Sequence, residues 1–156
     1  MKIKIITLGK LKEKFLKDAI SEFTKRLTPY CSLELIELSP IEIKDDNLID
    51  KILLAEGEKI LPLIKPHDYV VTLEIDGKQY SSEDFATHIK NLSNEGYSEL
   101  IFVIGSSHGI GKNVSNRANL KMSLSKMTFL HQFARLILIE QIYRAFKIIN
   151  NETYHK

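Results

Sequence analysis

Residues 100–112 read LIFVIGSSHGIGK, and this stretch decides the fold class. Its first five side chains are all apolar, which is typical of a strand buried on both faces of a parallel sheet. Gly105 ends the apolar run, and a glycine-rich loop continues to Lys112. A buried strand that leads through such a loop into a helix predicts an α/β domain with a ligand site at the end of the strand.

Strand and helix patterns alternate on both sides of this stretch. Alternating or apolar runs predict strands at residues 1–8, 33–38, 69–75, 100–104 and 120–124. Helical periodicity predicts helices at residues 11–27, 47–61, 81–95, after 112, and 130–149. Asp76-Gly77 is typical of a tight turn, and Ser81 with Asp84 resembles a capping box. The pattern predicts one α/β domain over residues 1–156, with a largely parallel sheet flanked by helices.

Composition limits where the protein works. The first residues do not resemble a signal peptide, and no apolar run approaches the roughly 18 residues of a membrane span. Cys31 is the only cysteine, and no Cys/His cluster has the spacing of a zinc site. We therefore expect a cytoplasmic protein that has no membrane segment and no structural metal.

Charge is distributed unevenly although the net charge is only +2. Residues 1–26 and 112–156 are basic, whereas residues 27–111 are acidic. If the two basic ends meet in space, they form one surface for a polyanion such as RNA. The alternative is that these charges are ordinary solvated helix faces.

The loop after Gly105 does not match the known phosphate-binding patterns. A P-loop requires glycine and a hydroxyl residue where this chain has Ser106 and Asn113, and the dinucleotide fingerprint G-x-G-x-x-G is absent. The glycines allow either a close approach to a ligand or a simple turn. Both interpretations stay open at this point.

A second loop leads into the last predicted helix at residues 123–132. Thr128 is a candidate cap for that helix, and His131 and Arg135 share one helical face. Arg144 points to roughly the opposite face and follows Glu140 by four residues, so it forms either an ordinary surface ion pair or part of a functional site. The chain ends in Tyr154-His155-Lys156, which is either a mobile tail or a functional one.

Several separated motifs occur in the order found in one known family. They are Leu8 to Lys12, Thr72 to Lys78, Val103 to Gly105, Ser125 to His131, Glu140 to Ala145 and the final Tyr154-His155-Lys156. With them the chain resembles the RlmH family, which comprises bacterial 23S rRNA pseudouridine methyltransferases of the SPOUT class. The sequence departs from that family at Ser106, where we expect a glycine, and at Leu130, where we expect a proline. His108 is also unusual.

The resemblance implies a C-terminal trefoil knot, a homodimer, and methylation of ring nitrogen 3 of a pseudouridine in 23S rRNA on assembled ribosomes. S-adenosylmethionine would be the methyl donor. The family's cofactor contacts fall, by position, on Leu73, Gly105, Leu124, Ser125, Lys126, Met127, Thr128 and Phe129. A structure with this function would therefore bring three strand ends to one pocket.

Methylation of an imide nitrogen requires a base and a group that stabilises the carbonyl oxygens. His131 or His155 is the candidate base, and Arg135 or Arg144 the candidate cation. Tyr154 is a candidate for stacking on the target base. Two other functions remain open: a non-catalytic RNA-binding or ribosome-associated module, and a methyltransferase of the same fold acting on another RNA nucleotide.

Overall fold

A computed structural model describes residues 1–155 as one α/β domain. Its strands are β1 (Lys2–Leu8), β2 (Ser32–Leu38), β3 (Tyr69–Lys78), β4 (Glu99–Ile104) and β5 (Leu120–Met122). They form one sheet in the order β2-β1-β4-β3-β5, and all neighbouring strands are parallel. The sheet predicted from the sequence is confirmed.

Helices cover both faces of this sheet, which is why its central strand β4 is apolar without interruption from Leu100 to Ile104. The helices are α1 (Lys14–Leu27), α2 (Ile49–Ile60), α3 (Ser82–Asn94), α4 (Lys112–Arg117) and α5 (His131–Ile149), with short 3₁₀ turns at Asp46–Leu48 and Leu61–Leu63. On one face α5 packs against α1 and α3, and on the other face α2 packs against α4. The predicted flanking helices are confirmed within a few residues at each end.

Strand β4 is the centre of the sheet. Its residues from Leu100 to Ile104 are at most 4% exposed. One face of the strand packs into the cluster that contains α5, and the other packs into the cluster that contains Val114 of α4. The purely apolar run therefore reflects burial on both faces, as predicted.

The predicted turn at Asp76-Gly77 is wrong, because β3 continues through both residues to Lys78. The pairing with β5 is irregular there, since Leu73 and Lys78 both pair with Met122. A Cβ atom at Gly77 would lie 2.6 Å from the Met122 carbonyl carbon. This glycine allows two backbones to approach closely, which a local sequence pattern does not reveal.

Helix caps were predicted correctly at one helix and wrongly at another. The Ser81 hydroxyl accepts a hydrogen bond from the Asp84 amide at 3.0 Å, so the predicted cap of α3 is confirmed. Thr128 does not cap α5: the residue before the helix is Leu130, which makes no side-chain cap. The loop before α5 is instead stabilised by the Ser125 hydroxyl, which accepts from the Met127 amide at 3.0 Å.

In residues 1–155, no helix is both long and apolar enough to cross a bilayer. The same residues contain no cluster of three His, Cys, Asp or Glu side chains positioned to hold a metal ion. The single cysteine, Cys31, is buried, and burial raises the pKa of its thiol to about 11. That thiol is therefore protonated at neutral pH.

Candidate functional site

A cavity of about 570 Å³ opens where β3, β4 and β5 end. Three chain segments line it: the end of β3, the glycine loop after β4, and the loop that joins β5 to α5. Seven of the eight predicted cofactor residues are among its lining residues, namely Leu73, Gly105, Leu124, Ser125, Met127, Thr128 and Phe129. The eighth, Lys126, is exposed and does not line the cavity.

The glycine loop folds back on itself directly after β4. The Gly109 amide donates to the Ser106 carbonyl at 3.0 Å, and Gly109 has a φ of 101°. A Cβ atom at Gly105 would lie 2.1 Å from the Gly109 carbonyl oxygen. Gly105 is thus required by the close approach of its own loop.

Glu56 of α2 forms a hydrogen bond with this loop. The sequence patterns did not predict this role for Glu56. Its carboxylate is 1% exposed and accepts hydrogen bonds from the Ser106 hydroxyl and the Ile41 amide, both at 3.0 Å. Ser106, the departure from the related family, therefore forms a contact with α2. A signal was present, because Glu56 occupies the buried face of α2 together with Leu53 and Ile60.

Two carboxylates line the cavity on the β3 side, Glu74 and Asp76. Glu74 is held by two hydroxyls: Thr72 donates at 2.7 Å and Ser115 at 3.2 Å. These side chains give that wall negative charge, which suits a positively charged ligand group. No local sequence motif marks either residue for this role.

His131 lies at the cavity wall, at the first position of α5. Its ring packs against Gly9, which has a φ of 113° and would bring a Cβ atom within 3.0 Å of the ring. Burial, together with the charges of Arg135 and Lys12, lowers the pKa of His131 below its ordinary value. The ring is therefore neutral at pH 7 and able to accept a proton.

Arg135 shares the helical face of His131 but points into the protein, where it is 1% exposed. It donates to the Glu37 carboxylate at 2.8 Å and to the Gly9 carbonyl at 2.9 Å. Burial tends to raise the pKa of Glu37, but hydrogen bonds from Arg135 and the Leu11 amide outweigh it and lower the pKa. Arg135 does not line the cavity, and its contacts are those of a residue that holds the β1–α1 loop.

Arg144, Tyr154 and His155 lie together, but they do not line the cavity. Arg144 pairs with Glu140 at 2.6 Å and stacks over the Tyr154 ring at 4.7 Å, so the predicted ion pair is confirmed. The Tyr154 hydroxyl also donates to Glu140 at 3.0 Å. The tail is thus packed on α5 of its own chain, while Lys156 lies outside the described residues.

His155 connects the tail to the start of α3. Its Nε2 atom lies 2.6 Å from the Glu83 carboxylate, and its Nδ1 atom lies 3.4 Å from the Arg144 guanidinium. The neighbouring Ser82 donates to Gln141 at 2.7 Å. Ser82 and Gln141 line a smaller cavity of about 250 Å³, which shares Met122 through Leu124 with the larger one. The two candidate histidines therefore lie in different surroundings. His131 lines the large cavity, whereas His155 contacts Glu83 and Arg144 and lines neither cavity.

Comparison with known proteins matches this chain to one family. The family model described as predicted SPOUT methyltransferase covers residues 1–155. The chain belongs to the SPOUT methyltransferase family. Enzymes of this family methylate RNA and generally use S-adenosylmethionine.

Proposed function

We propose that this chain is a cytoplasmic homodimer that transfers a methyl group from S-adenosylmethionine to ring nitrogen 3 of a pseudouridine in 23S rRNA. Family membership supports methyl transfer to RNA. The choice of nucleotide, and of the assembled ribosome as substrate, rests on the resemblance to the RlmH family. That resemblance also predicts a trefoil knot in the C-terminal part of the chain.

One observation carries the proposal: residues assigned to the cofactor from separate motifs line a single cavity. Its volume of about 570 Å³ falls in the range of roughly 300–1,000 Å³ that is usual for small-molecule sites. The carboxylates of Glu74 and Asp76 suit the ammonium and sulfonium charges of S-adenosylmethionine, and the glycine loop offers backbone groups. The residues present therefore fit this cofactor.

Bound S-adenosylmethionine supplies a methyl group that is already activated. The chain's own residues then need to remove the imide proton and hold the charge that develops on the base. His131 is neutral and lies at the cavity, so it fits the role of base in its own subunit. His155 remains the alternative, with Arg144 beside it as the cation.

The tail residues do not line the cavity of their own chain. We infer that the tail of one subunit completes the cavity of the other. An exposed apolar patch at the start of α5 supports a dimer, because isolated domains rarely leave such patches uncovered. The patch comprises Phe15, Met127, Phe129, Leu130 and Phe133, which are 40–75% exposed. The Phe15 and Phe133 rings lie 6.1 Å apart, so the patch is continuous with α1.

Mass spectrometry of rRNA nucleosides from cells with and without the gene tests the proposal. Loss of N3-methylpseudouridine from the large-subunit rRNA supports it. Loss of a different methylated nucleoside would assign the enzyme another target. If all methylated nucleosides persist and calorimetry detects no binding of S-adenosylmethionine, the chain is a non-catalytic RNA-binding module.

A further inference from the structure

Eight of the fifteen basic side chains described in residues 1–26 and 112–155 are engaged within the protein. Acidic partners neutralise them in pairs, and Arg117 donates to three backbone carbonyls. The pairs are Lys2–Glu34, Lys4–Glu99, Lys14–Asp18, Arg26–Glu22, Arg135–Glu37, Arg144–Glu140 and Lys147–Glu152. About half of these basic side chains therefore remain available to a ligand, and their positions decide where a polyanion could bind.

Three lysines remain on the two loops that meet beside His131. Lys10 and Lys12 lie on the β1–α1 loop, and Lys126 lies on the β5–α5 loop. All three are exposed, and none forms an ion pair with a carboxylate in the described part of the chain. We call these three residues the lysine edge.

The β1–α1 loop is held against the start of α5, the helix into which the β5–α5 loop leads. The Lys12 amide donates to the Gln132 side chain at 3.0 Å, and Arg135 donates to the Gly9 carbonyl at 2.9 Å. Lys12 is close enough for its charge to lower the pKa of His131. Lys126 stands between Ser125 and Met127, which both line the large cavity. The basic ends of the chain therefore meet in space at the entrance to this cavity.

Glu37, an acidic group on which the charge of Lys10 acts, is already paired with another cation. Lys10 helps to lower the pKa of Glu37, but the ion-pair partner of that carboxylate is Arg135, at 2.8 Å. The charge on the lysine edge therefore faces solvent. Lysine is a mobile point charge on a flexible stem, which suits contact with successive phosphates of a nucleic acid strand.

We propose that Lys10, Lys12 and Lys126 bind the phosphate backbone of the RNA strand whose base enters the large cavity. This inference rests on the proposed function for the identity of the polyanion. The inference adds which surface binds the RNA and how the strand is oriented. The RNA backbone runs along the β1–α1 and β5–α5 loops, beside His131. Residues that bind phosphate position the strand and carry no sequence information themselves.

The test compares two double variants with the same change in charge. Lys10→Gln with Lys12→Gln alters the lysine edge, whereas Lys51→Gln with Lys90→Gln removes two exposed lysines of α2 and α3. Fluorescence anisotropy with a short labelled RNA hairpin, and sedimentation with large ribosomal subunits, measure affinity over a series of salt concentrations. Calorimetry with S-adenosylmethionine, and thermal unfolding, show whether the cavity and the fold are intact.

Salt dependence is measured as the slope of log affinity against log salt concentration. The magnitude of this slope should fall by about 1 for each phosphate contact that is removed. For the Lys10/Lys12 variant, we expect the magnitude of the slope to be smaller by about 2 than in the wild type. The variant should also bind RNA more weakly, with unchanged cofactor affinity. The Lys51/Lys90 variant should retain the wild-type slope. Adding Lys126→Gln to the first variant should reduce the slope further.

Two results would overturn the inference, and they are distinguishable from failure of the proposed function. If the wild type binds RNA and the Lys10/Lys12 variant keeps the full slope, the lysine edge is an ordinary solvated surface and only this inference fails. If the wild type binds neither the hairpin nor the ribosomal subunits, the RNA substrate fails as well. Equal losses in both double variants would indicate a diffuse effect of net charge and would also reject a defined edge.

Discussion

The contact between Glu56 and Ser106 shows how one buried side chain shapes the glycine loop after β4. A buried carboxylate is stable only while its hydrogen-bond donors are present, because burial removes the water that would otherwise solvate it. One donor, the Ile41 amide, belongs to the chain between β2 and α2, and the other belongs to the glycine loop. Glu56 therefore joins a structural segment to a wall of the cavity.

Replacing Ser106 removes one donor from this carboxylate. We expect Ser106→Ala to lower the free energy of unfolding by about 1–3 kcal/mol and to weaken S-adenosylmethionine binding. Ser107→Ala is the matched control, since Ser107 is exposed, and it should change stability by less than about 0.5 kcal/mol. Urea unfolding and calorimetry measure both effects. If Ser106→Ala and Glu56→Gln lower stability additively, the two side chains do not act as a pair.

Substitution of Arg135 tests whether this residue, which shares a helical face with His131, acts in catalysis or in structure. Arg135→Leu leaves the Gly9 carbonyl and Glu37 without their cation, so we expect unfolding free energy to fall by about 2–3 kcal/mol. Arg26→Leu removes an exposed pair with Glu22 and should have little effect. Because the pKa of Glu37 is lowered, its contribution to stability should disappear as pH falls through that pKa. If Arg135→Leu keeps wild-type stability but does not methylate RNA, Arg135 acts in catalysis and not in structure.

The ionisation of His131 gives a prediction about pH. We expect NMR to show the ring of His131 titrating below its ordinary pKa of 6.5, because burial and two nearby cations disfavour its protonated form. Lys12→Gln removes one of these cations and should move the pKa upward. If His131 is the base, kcat rises with pH through this ionisation, and His131→Gln removes the dependence. Titration of His131 above 6.5 would contradict the electrostatic basis of the prediction.

At the scale of the elements, sequence patterns predicted those features that depend on nearby residues. Periodicity located every strand and helix, and the apolar run at residues 100–104 placed β4 at the centre of the sheet. The turn assigned to Asp76-Gly77 was wrong because the same dipeptide serves a close approach of β3 to Met122, a residue distant in the chain. Thr128 likewise matched a cap by type, but α5 begins three residues later, at His131.

In the candidate site too, some features follow from nearby residues in the sequence and others depend on how distant elements pack. Strand ends and loop motifs located the cavity lining, because the carboxyl ends of parallel strands share one edge of the sheet. The direction of Arg135 and the support from Glu56 depend on which helix packs behind each loop. Helical spacing places His131 and Arg135 on one face, but it does not say which of them meets the cavity.

Gly77 provides a test at the level of the strands. Gly77→Ala would place a Cβ atom 2.6 Å from the Met122 backbone, so β3 and β5 would need to separate. We expect a loss of about 1–3 kcal/mol in unfolding free energy, together with weaker cofactor binding, because Met122 lines the cavity. Asp76→Ala, at the exposed neighbouring residue, is the control for stability. Unchanged urea unfolding of Gly77→Ala would show that the two strands accommodate a side chain.

At the scale of the whole molecule, the candidate catalytic groups of one chain are divided between two places. His131 lies at the large cavity, whereas Arg144, Tyr154 and His155 form a group on the far side of α5 and near α3. Under the proposed function, a homodimer that packs through the patch around Phe133 places the tail of one subunit at the cavity of the other. Leu130→Asp and Phe133→Asp should therefore give monomers by analytical ultracentrifugation, whereas Leu54→Asp, at an exposed leucine of α2, should not.

A mixed dimer tests whether the tail acts on the other subunit. One subunit carries Thr128→Trp, which fills the cavity and should abolish cofactor binding, and it keeps its tail. The other keeps its cavity and lacks residues 154–156. If the tail acts across the dimer, the intact cavity receives the intact tail, and one working site per mixed dimer appears. Gly105→Val is less suitable as the first variant, since its side chain would displace the Gly109 carbonyl of its own loop.

Both parent homodimers should be inactive, because one has no usable cavity and the other has no tail. Methylation recovered after subunit exchange must therefore come from mixed dimers, which two different affinity tags isolate and quantify. Calorimetry on each parent establishes that only the truncated chain binds S-adenosylmethionine. Isolated mixed dimers that bind the cofactor but stay inactive would show that the tail serves the cavity of its own chain. In that case, the contacts of His155 with Glu83 and Arg144 would have to rearrange within one subunit before methyl transfer.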